Sequence, residues 1–323
     1  MKAAVYDRFG PAAEVLRVTE VDRPEPGPGE VRVKVAMSGI NPTDYKIRSG
    51  AMGRPLDGFQ IPQHDGTGVI DAVGEGVDPG RVGQRVWLWL AAFGRRWGTA
   101  AEWTVVPARQ AVPLPEGISD ELAASLGVPA VTAYHCLFAD GPVTGKTVLV
   151  AGGAGAVGHF AIQLAVHAGA QVIATVSTDQ KAELARQAGA HQVVRYRDPD
   201  ALDQIKAVTQ RVDRVVEVAL GANLALDLAL TGPGTVIVTY AAEASDPVLP
   251  VRACMSANVL LRFILLYGVP LDALDRAGAD ITAALADGAL TELPVAARFP
   301  LSGIVAAHEA AEAGPLGKVL VIP

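Results

Sequence analysis

The chain has 323 residues, of which 50% are hydrophobic and 19% are charged. This composition excludes a disordered chain, and the 34 glycines, which follow no regular period, exclude a collagen-like one. The net charge of -7 argues against a nucleic acid or an anionic membrane as partner and favours a small molecule. The length corresponds to about two ordinary domains.

The N-terminal residues, MKAAVYDRFG, lack the basic and then apolar stretch of a secretory signal. The longest apolar run, 259–269, is interrupted by Arg262 and is shorter than the ~20 residues of a membrane span. The two cysteines, Cys136 and Cys254, are far apart in the sequence, as is typical of a reducing compartment. We therefore expect a cytoplasmic protein that does not contact a membrane.

Up to about residue 122 the sequence predicts short strands separated by turns. Residues 31–37 (VRVKVAM) alternate, and residues 66–73 (GTGVIDAV) precede a turn, which indicates a largely antiparallel β unit. This region also contains all four tryptophans: Trp87, Trp89, Trp97 and Trp103. The period of two places Trp87 and Trp89 on one face of a strand. We interpret Trp87 and Trp103 as packing residues and Trp97 as either a loop residue or a lid over a planar acceptor.

From residue 123 onwards, alanine-rich helical stretches alternate with apolar strands at 147–151, 171–176, 214–219 and 235–239. Strands separated by segments of helix length predict βαβ units and a parallel sheet. The last segment, 293–323, returns to a strand, a short helix that contains His308, and a final strand, KVLVIP.

A strand, a glycine-rich turn and a helix follow one another in residues 147–169, TVLVAGGAGAVGHFAIQLAVHAG. Gly153, Gly155 and Gly158 form the spacing GxGxxG, with Ala156 and Val157 between the last two. In dinucleotide-binding folds, the first glycine permits a tight turn and the second lets backbone N–H groups approach a pyrophosphate. The third lets the helix pack on the strand. This order of elements predicts a dinucleotide site, the alternative being a turn that merely packs tightly.

The following strand ends in residues 176–178 (VST), where an NAD-binding fold usually carries Asp or Glu. The small Ser177 leaves room for a 2′-phosphate, and Lys181 can supply positive charge to it. Residues 195–197 (RYR) are further candidates, whereas Asp179 opposes phosphate binding. The pattern favours NADPH over NADH, with a solvated lysine at a helix start as the alternative for Lys181.

Four segments, taken with the order of the two regions, resemble the zinc-free quinone oxidoreductase branch of the medium-chain dehydrogenases/reductases, which includes zeta-crystallin. They are SGINPTDYKIRSG (38–50), QHDGTGVI (63–70), GVPAVTAYH (127–135) and AGGAGAVG (151–158). The resemblance, which runs from end to end, implies an α/β protein with two domains. Residues 1–122 and 268–323 would form a GroES-like, β-rich catalytic domain, and residues 123–267 an NADP-binding Rossmann domain with a doubly wound parallel sheet. NADPH would bind in the cleft between them.

The resemblance also implies individual cofactor contacts. Asn41 would lie beside the nicotinamide and Thr132 near the cofactor. Around the adenosine phosphate it implies Ser177, Lys181 and Tyr196, and at looser positions of the same cleft Ala219, Tyr240 and Lys318. Dimeric relatives further imply a homodimer in which the edge strand 259–267 (VLLRFILLY) pairs with a second copy, the alternative being a strand covered by its own chain.

Zinc alcohol dehydrogenases of the same superfamily need three catalytic ligands. Aligned on SGINPTD, Asn41 replaces the first cysteine, and aligned on GVPAVTAY, Val128 replaces the second. Of the three ligands only His64 remains, and the other histidines show no pair at the spacing i, i+4. We therefore expect no metal.

Hydride transfer without zinc suits an acceptor that is already activated by conjugation, because it needs only positioning and a hydrogen bond to the carbonyl. Quinones, enones and alkenals are such acceptors. Lys46 stands where zeta-crystallin-like enzymes often carry a tyrosine, and NPTDYK resembles enone and alkenal reductases whose lysine lies near the substrate carbonyl. We predict Lys46 as the hydrogen-bond donor, with Tyr45 as the alternative, while an exposed lysine on a short helix is the structural alternative.

Two other functions stay open. A free-standing enoyl reductase for polyketide or acyl chains on a carrier would use the same fold and cofactor, with Arg95 and Arg96 as part of a basic docking surface. A crystallin-type structural or RNA-binding role is disfavoured by the acidic net charge and by the absence of an RNA-binding aromatic motif.

Overall fold

The structure, a computed structural model, describes residues 1–53, 55–243 and 245–323. The chain divides into two compact units. Unit 1 comprises Met1–Val128, Gly278–Ala286 and Glu292–Pro323, and unit 2 comprises Pro129–Ala277 and Asp287–Thr291. The predicted domain boundaries, at 122/123 and 267/268, stay predictions.

The strands are β1 (Lys2–Val5), β2 (Arg17–Glu20), β3 (Glu30–Gly39), β4 (Asp65–Val73), β5 (Arg85–Leu88), β6 (Trp103–Pro107), β7 (Ala111–Pro113), β8 (Thr147–Ala151), β9 (Gln171–Val176), β10 (Gln192–Arg195), β11 (Arg214–Glu217), β12 (Val236–Thr239), β13 (Leu260–Phe263), β14 (Val295–Pro300) and β15 (Lys318–Ile322). The helices are α1 (Ala12–Val15), α2 (Pro42–Arg48), α3 (Asp120–Ala123), α4 (Gly127–Phe138), α5 (Ala156–His167), α6 (Asp179–Gln187), α7 (Ala201–Lys206), α8 (Leu220–Leu230), α9 (Val251–Ala257), α10 (Leu271–Ala286) and α11 (Ile304–Glu312). None of the helices in the described ranges is both long and apolar enough to cross a membrane.

Unit 1 is built on a seven-stranded sheet in the order β14-β15-β3-β4-β5-β7, with β6 paired to β3. Every pairing in it is antiparallel except that of β14 with β15. Alternating residues of β3 and β4, among them Val31, Val33 and Ile70, point into one buried core. The largely antiparallel β unit predicted for the first third of the chain is thus present.

The tryptophans of unit 1 take different environments. Trp87 and Trp89 are fully buried, and the Trp87 indole donates to Thr282 Oγ1 at 3.1 Å. Trp103 is half-buried and donates to Asp71 Oδ2 at 2.8 Å. Trp97 packs edge-on against Phe59, with ring centroids 6.1 Å apart. Packing therefore accounts for Trp87 and Trp89, while Trp97 lies in a loop and its alternative role as a lid stays a prediction.

Unit 2 contains a six-stranded sheet in the order β10-β9-β8-β11-β12-β13, and every pair in it is parallel. Renumbered from its first strand, this is the order 3-2-1-4-5-6 of the doubly wound dinucleotide fold. Successive strands are added to one side of β8 up to β10 and to its other side from β11 onwards. Such folds bind ligands at this point, beside the carboxyl ends of the strands. The predicted α/β fold class, a Rossmann sheet with a GroES-like β-rich partner, is confirmed.

Candidate active site

Residues 152–158, which comprise the turn after β8 and the first residues of α5, are here called the glycine turn. Gly152 has φ of +68°, so the residue that makes the tight turn precedes the motif's first glycine. At Gly153 a Cβ would lie 2.8 Å from the Ala174 Cβ and 3.0 Å from the Ile162 Cδ1. The prediction that the first glycine of the motif permits the turn is therefore wrong in detail, because Gly153 serves close packing and Gly152 serves the turn.

The other two glycines take the roles that the motif predicts. Gly158 is buried, and a Cβ there would collide with the Gly152 carbonyl oxygen and lie 2.9 Å from the Gly153 Cα. Gly155 is the N-cap of α5 and is exposed, while Ala156 and Val157 are half-buried. The first N–H groups of a helix lack partners within the helix, and the helix dipole adds partial positive charge at this end. The glycine turn can therefore hold a pyrophosphate group.

The end of β9 carries the residues predicted to bind the adenosine phosphate. Ser177 is half-buried, and Thr178 caps α6 by accepting the Lys181 N–H at 3.3 Å. Lys181 therefore stands at the third position of α6, half-buried, and no ion pair engages its ammonium group within the described ranges. Ser177 is small and uncharged and the nearby Lys181 is a cation, a combination that suits a bound phosphate group.

The two arginines at and after the end of β10, Arg195 and Arg197, have different partners. Arg195 pairs with Asp179 and with Asp198, each at 3.0 Å. The Asp179 carboxylate, which would oppose a phosphate, is thus engaged by Arg195. Tyr196 is exposed, and the Arg197 guanidinium lies 5.7 Å from its ring centroid.

The remaining predicted residues of unit 2 lie on or after its central strands and on α4. Thr132 is buried in α4, Ala219 follows β11, and Tyr240 follows β12 and is half-buried. Glu217, the last residue of β11, belongs to none of the motifs described above. A charged residue at the end of an apolar strand is nevertheless a pattern that is visible in the sequence. Its Oε1 accepts the Ala219 N–H at 2.5 Å and the Asn223 Nδ2 at 2.9 Å.

Glu217 shares its surroundings with a second buried carboxyl group, that of Asp227. Burial and the neighbouring Glu217 carboxylate raise the pKa of Asp227 to about 9. Burial also raises the pKa of Glu217. Asp227 is therefore protonated near neutral pH, which avoids two adjacent buried negative charges.

Unit 1 contains a buried group of four side chains that is here called the polar cluster: Asn41, Asp44, Asp65 and Lys318. Asn41 Nδ2 donates to Asp65 Oδ2 at 2.7 Å, and Lys318 Nζ donates to Asn41 Oδ1 at 2.6 Å. Lys318 Nζ also lies 3.3 Å from Asp65 Oδ2. The second Asp65 oxygen accepts the Val128 N–H at 2.6 Å. The Asn41 amide is therefore held in one orientation from both of its ends.

The electrostatics of the polar cluster are set by burial. Burial raises the pKa of Asp65, and the Lys318 ammonium opposes that rise. Burial and the Asp65 charge together raise the pKa of Asp44 to about 8. One Asp44 oxygen accepts the Asn41 N–H at 2.7 Å, at the third position of α2, where an acidic side chain closes a capping box. Asp44 is therefore largely protonated at neutral pH.

The two predicted catalytic residues lie on α2 but outside the polar cluster. Lys46 is exposed, and Tyr45 is half-buried, with burial and Glu312 raising the pKa of its phenol. The helix buries two side chains, those of Arg48 and of Asp44, the residue before Tyr45. In the sequence, Asp44 is visible only as the acidic residue of NPTD. Its burial could not be predicted, because packing decides which face of so short a helix is covered.

A cavity of ≈ 520 Å³ lies within unit 1. Its polar lining includes Asp44, Gln63 and His64, and its apolar lining includes Phe9, Ile47, Leu56 and Phe59. Two basic residues, Arg95 and Arg96, also line the cavity. A cavity that is mostly apolar with a few polar groups is the usual form of a site for a small organic molecule.

The residues at the positions of zinc ligands do not fit zinc. The Asn41 amide is engaged by Asp65 and Lys318, and Val128 contributes only a backbone N–H, donated to Asp65. Within 1–53, 55–243 and 245–323, no three His, Cys, Asp or Glu side chains are grouped so that they could hold a metal ion. No step of the chemistry is therefore assigned to a metal.

The chain is similar to known dehydrogenases and quinone oxidoreductases. The alcohol dehydrogenase GroES-like domain family matches residues 27–116, and the zinc-binding dehydrogenase family matches residues 156–277. The quinone oxidoreductase of Homo sapiens is 29% identical, over 100% of this chain and 98% of the relative. A mycobacterial quinone oxidoreductase structure is 31% identical with a TM-score of 0.86, and an Escherichia coli quinone oxidoreductase solved with NADPH is 27% identical with a TM-score of 0.86. Both alignments cover 100% of each chain.

Proposed function

Because the chain belongs to the quinone oxidoreductase family of the medium-chain dehydrogenases/reductases, we propose that it is an NADPH-dependent oxidoreductase. Its acceptors are quinones or other conjugated carbonyl compounds, such as enones and alkenals, and it uses no zinc. The observation that carries the proposal is the glycine turn, with an accessible helix N-terminus at the carboxyl end of β8.

The glycine turn binds the pyrophosphate through the N–H groups of residues 156–158, because Gly155 leaves the approach open and Gly158 brings α5 close to β8. Ser177 and Lys181 bind the 2′-phosphate, which distinguishes NADPH from NADH. Tyr196 packs near the adenosine, while Thr132, Ala219 and Tyr240 are further contacts of the cofactor. The remaining predicted cofactor contacts, Asn41 and Lys318, stay predictions.

When bound, the nicotinamide supplies the hydride, and the protein has to orient the acceptor and hydrogen-bond its carbonyl oxygen. The donor set around Asn41 and His64 lacks the ligands for zinc, so no Lewis acid activates an alcohol. An acceptor with a conjugated carbonyl needs no such activation. This is the chemical reason for preferring quinones and enones to simple alcohols as substrates.

Lys46 is the proposed donor to that carbonyl, with Tyr45 as the alternative. Lys46 is exposed and has a long flexible side chain. It precedes Ile47, which lines the unit 1 cavity, but is not itself one of the lining residues. If Lys46 is the donor, Lys46→Met lowers kcat about tenfold or more, and Tyr45→Phe has a small effect. Loss of activity only in Tyr45→Phe would assign the role to the phenol.

The test of the proposed function is NADPH oxidation with 1,4-benzoquinone, 9,10-phenanthrenequinone and a short 2-alkenal, each repeated with NADH. We expect turnover of at least one acceptor with NADPH, slower turnover with NADH, and no change after treatment with a metal chelator. A matched pair of crotonyl thioesters, one on an acyl carrier protein and one on a small thiol, tests the enoyl reductase alternative. If only the carrier-bound ester reacted, that alternative would replace the proposal.

We also propose that the chain forms a homodimer through residues 259–267. β13 is the outermost strand of the unit 2 sheet, and Leu260, Phe263 and Leu265 around it are 58%, 67% and 61% exposed. An exposed apolar edge strand is a surface for pairing with another strand. Sedimentation analysis should give a dimer for the wild-type chain and a monomer for Phe263→Asp, and a wild-type monomer at micromolar concentration would contradict this proposal.

A further inference from the structure

The unit 1 cavity is lined by two arginines, by an apolar part, and by further polar residues that include Asp57, Gln63 and His64. Tyr6, Phe9, Phe59, Leu56 and Ile47 supply aromatic and aliphatic surface to it. Arg95 and Arg96 are adjacent in the chain and both line the cavity. Arginine side chains in such a setting need partners, because a guanidinium carries five N–H donors and no acceptor.

Arg95 is under-satisfied. Its side chain is 24% exposed, and its Nε is buried without a hydrogen-bond partner. Its ion pair is long, with 3.5 Å between Arg95 Nη1 and Glu30 Oε1. Burial lowers the pKa of Arg95, and the Glu30 carboxylate opposes this shift. A buried donor without a partner costs free energy that an incoming acceptor can recover.

Arg96 is also weakly engaged. Its guanidinium lies over the Phe59 ring at 4.7 Å from the centroid. Its hydrogen bond to the Asp57 carbonyl oxygen is long, at 3.4 Å. Stacking on Phe59 restrains the plane of the guanidinium while leaving N–H groups at its edge available for a planar anion.

The backbone that carries both arginines is held by one side chain. Gln60 Nε2 donates to the carbonyl oxygens of Arg95 and Arg96, both at 3.0 Å, and to that of Ile61 at 2.8 Å. Gln60 is therefore a positioning residue for the arginine pair. A restrained backbone reduces the entropy that the two side chains lose when they bind a ligand.

The acidic residues of the lining do not cancel the arginines. Asp44 is largely protonated at neutral pH, because burial and the Asp65 charge raise its pKa to about 8. The Asp57 side chain is exposed, and no ion pair within the described ranges joins it to either arginine. The two guanidinium groups of the lining therefore stand against one lining carboxylate that pairs with neither of them, that of Asp57, while Glu30, outside the lining, pairs loosely with Arg95.

We propose that this cavity binds an acceptor whose conjugated or aromatic part carries an anionic group, a carboxylate or a phosphate, and that Arg95 and Arg96 bind that group. The apolar residues receive the planar part of the molecule, and the two guanidinium groups receive the anion. The identification of the ligand as the acceptor rests on the proposed function, but the anion site itself is defined by the cavity and does not depend on turnover.

The first test is calorimetric titration of the full chain, without cofactor, with 1-naphthoate, 1-naphthyl phosphate and the neutral 1-naphthamide. We expect at least one anion to bind about tenfold more tightly than the amide, since each charge-assisted contact is worth roughly that factor. Arg96→Gln should remove the difference, Arg95→Gln should reduce it, and Arg96→Lys should keep part of it. Tighter binding of the phosphate than of the carboxylate would identify a phosphorylated acceptor as the source of the anion.

The matched control is Arg23→Gln. Arg23 also stacks on an aromatic ring, with its guanidinium 5.4 Å from the Trp103 centroid, but it does not line the cavity. This variant should bind all three probes as the wild-type chain does. A loss of anion binding in Arg23→Gln as large as that in Arg96→Gln would show a general charge effect and overturn the site.

The second test compares turnover of 1,4-naphthoquinone-2-carboxylate and its methyl ester. We expect the wild-type chain to have a lower KM for the carboxylate by about tenfold, and Arg96→Gln to treat both alike. Equal KM values in the wild type together with no naphthoate binding would overturn this inference and leave the proposed function intact. Naphthoate binding that depends on Arg96, with no acceptor reduced, would keep the anion site and reject the proposed function.

Discussion

The glycine turn of unit 2 and the polar cluster of unit 1 are built in opposite ways. The glycine turn is seven consecutive residues, 152–158, and the groups proposed to bind the pyrophosphate are backbone N–H groups. The polar cluster brings together Asn41, Asp44, Asp65 and Lys318, which are up to 277 positions apart in the sequence. A site built from main-chain groups can be recognised from a short stretch of sequence. A site built from side chains depends on which strands, distant in the sequence, are adjacent in the fold.

The two regions also depend on different forces. The glycine turn depends on the absence of side chains, since a Cβ at Gly153 or Gly158 would meet packed atoms. The polar cluster depends on compensation between charges that burial has removed from water. Substitutions in the two regions should therefore fail for different reasons, and the following predictions use that contrast.

The largest effect is expected from Lys318→Met. It leaves the buried Asp65 without its cation, and breaking a buried ion pair in this way costs ~3–5 kcal/mol. Urea unfolding should show a loss of this size. Lys2→Met, which removes an exposed lysine from β1, should change the free energy of unfolding by less than ~0.5 kcal/mol. A comparable loss in both variants would mean that the polar cluster contributes nothing specific.

The next effect is a change in pH dependence on Asp44→Asn. The folded-state pKa of Asp44 is about 8 and its usual value is 3.8, so between these pH values the folded chain keeps a proton that the unfolded chain releases. The wild-type chain should therefore lose stability as pH rises through this window, by up to ~1.4 kcal/mol per pH unit.

Asp44→Asn keeps an oxygen for the Asn41 N–H but has no such proton to lose. Its free energy of unfolding, measured in urea at pH 5, 7 and 9, should fall less steeply than that of the wild-type chain. Two parallel pH profiles would show that Asp44 does not titrate in this window.

A smaller loss is expected from Gly158→Ala, which pushes a methyl group against the Gly152 carbonyl and the Gly153 Cα. Overpacking of this kind costs ~1–3 kcal/mol, and here it should also weaken NADPH binding by moving α5 away from β8. Gly268→Ala is the matched control, because a Cβ at Gly268 meets nothing within 4 Å. If the control lost as much stability as Gly158→Ala, close packing at the glycine turn would not be the cause.

The smallest effect is expected from Lys181→Ala, which removes a single half-buried cation from the start of α6. We expect the Kd for NADPH to rise about tenfold, ~1.4 kcal/mol, with little change in the Kd for NADH, as measured by fluorescence titration. Arg186→Ala, on the same helix, should alter neither Kd. Equal losses for the two cofactors in Lys181→Ala would remove Lys181 from the proposed phosphate site.

Several elements could be predicted from the sequence because their cause is local. The ranges 147–151 and 171–176 match β8 and β9 residue for residue, since both strands are apolar runs bounded by turn residues. The strands 214–219 and 235–239 were predicted longer than β11 and β12. The spacing of the glycine motif does not reveal that Gly152 makes the turn.

The side-chain chemistry was harder to predict. Lys46 and Asp44 lie two positions apart on one short helix, yet only Asp44 is buried. A helix of seven residues shows too few turns for its pattern to reveal which face is covered. Lys318 becomes a partner of Asn41 because β15 pairs with β3. This pairing joins the C-terminal segment of unit 1 to a strand from its N-terminal segment.

By itself the sequence determined the α/β class, the position of the glycine turn and the family, because strand periodicity, glycine spacing and motif order are properties of neighbouring residues. Only the tertiary structure decided that Asp44 and Asp65 are buried beside Lys318 and that Arg95 and Arg96 border an apolar cavity. The physical reason is that burial and charge compensation depend on the distances between residues remote in the chain, and those distances exist only once the sheets have formed.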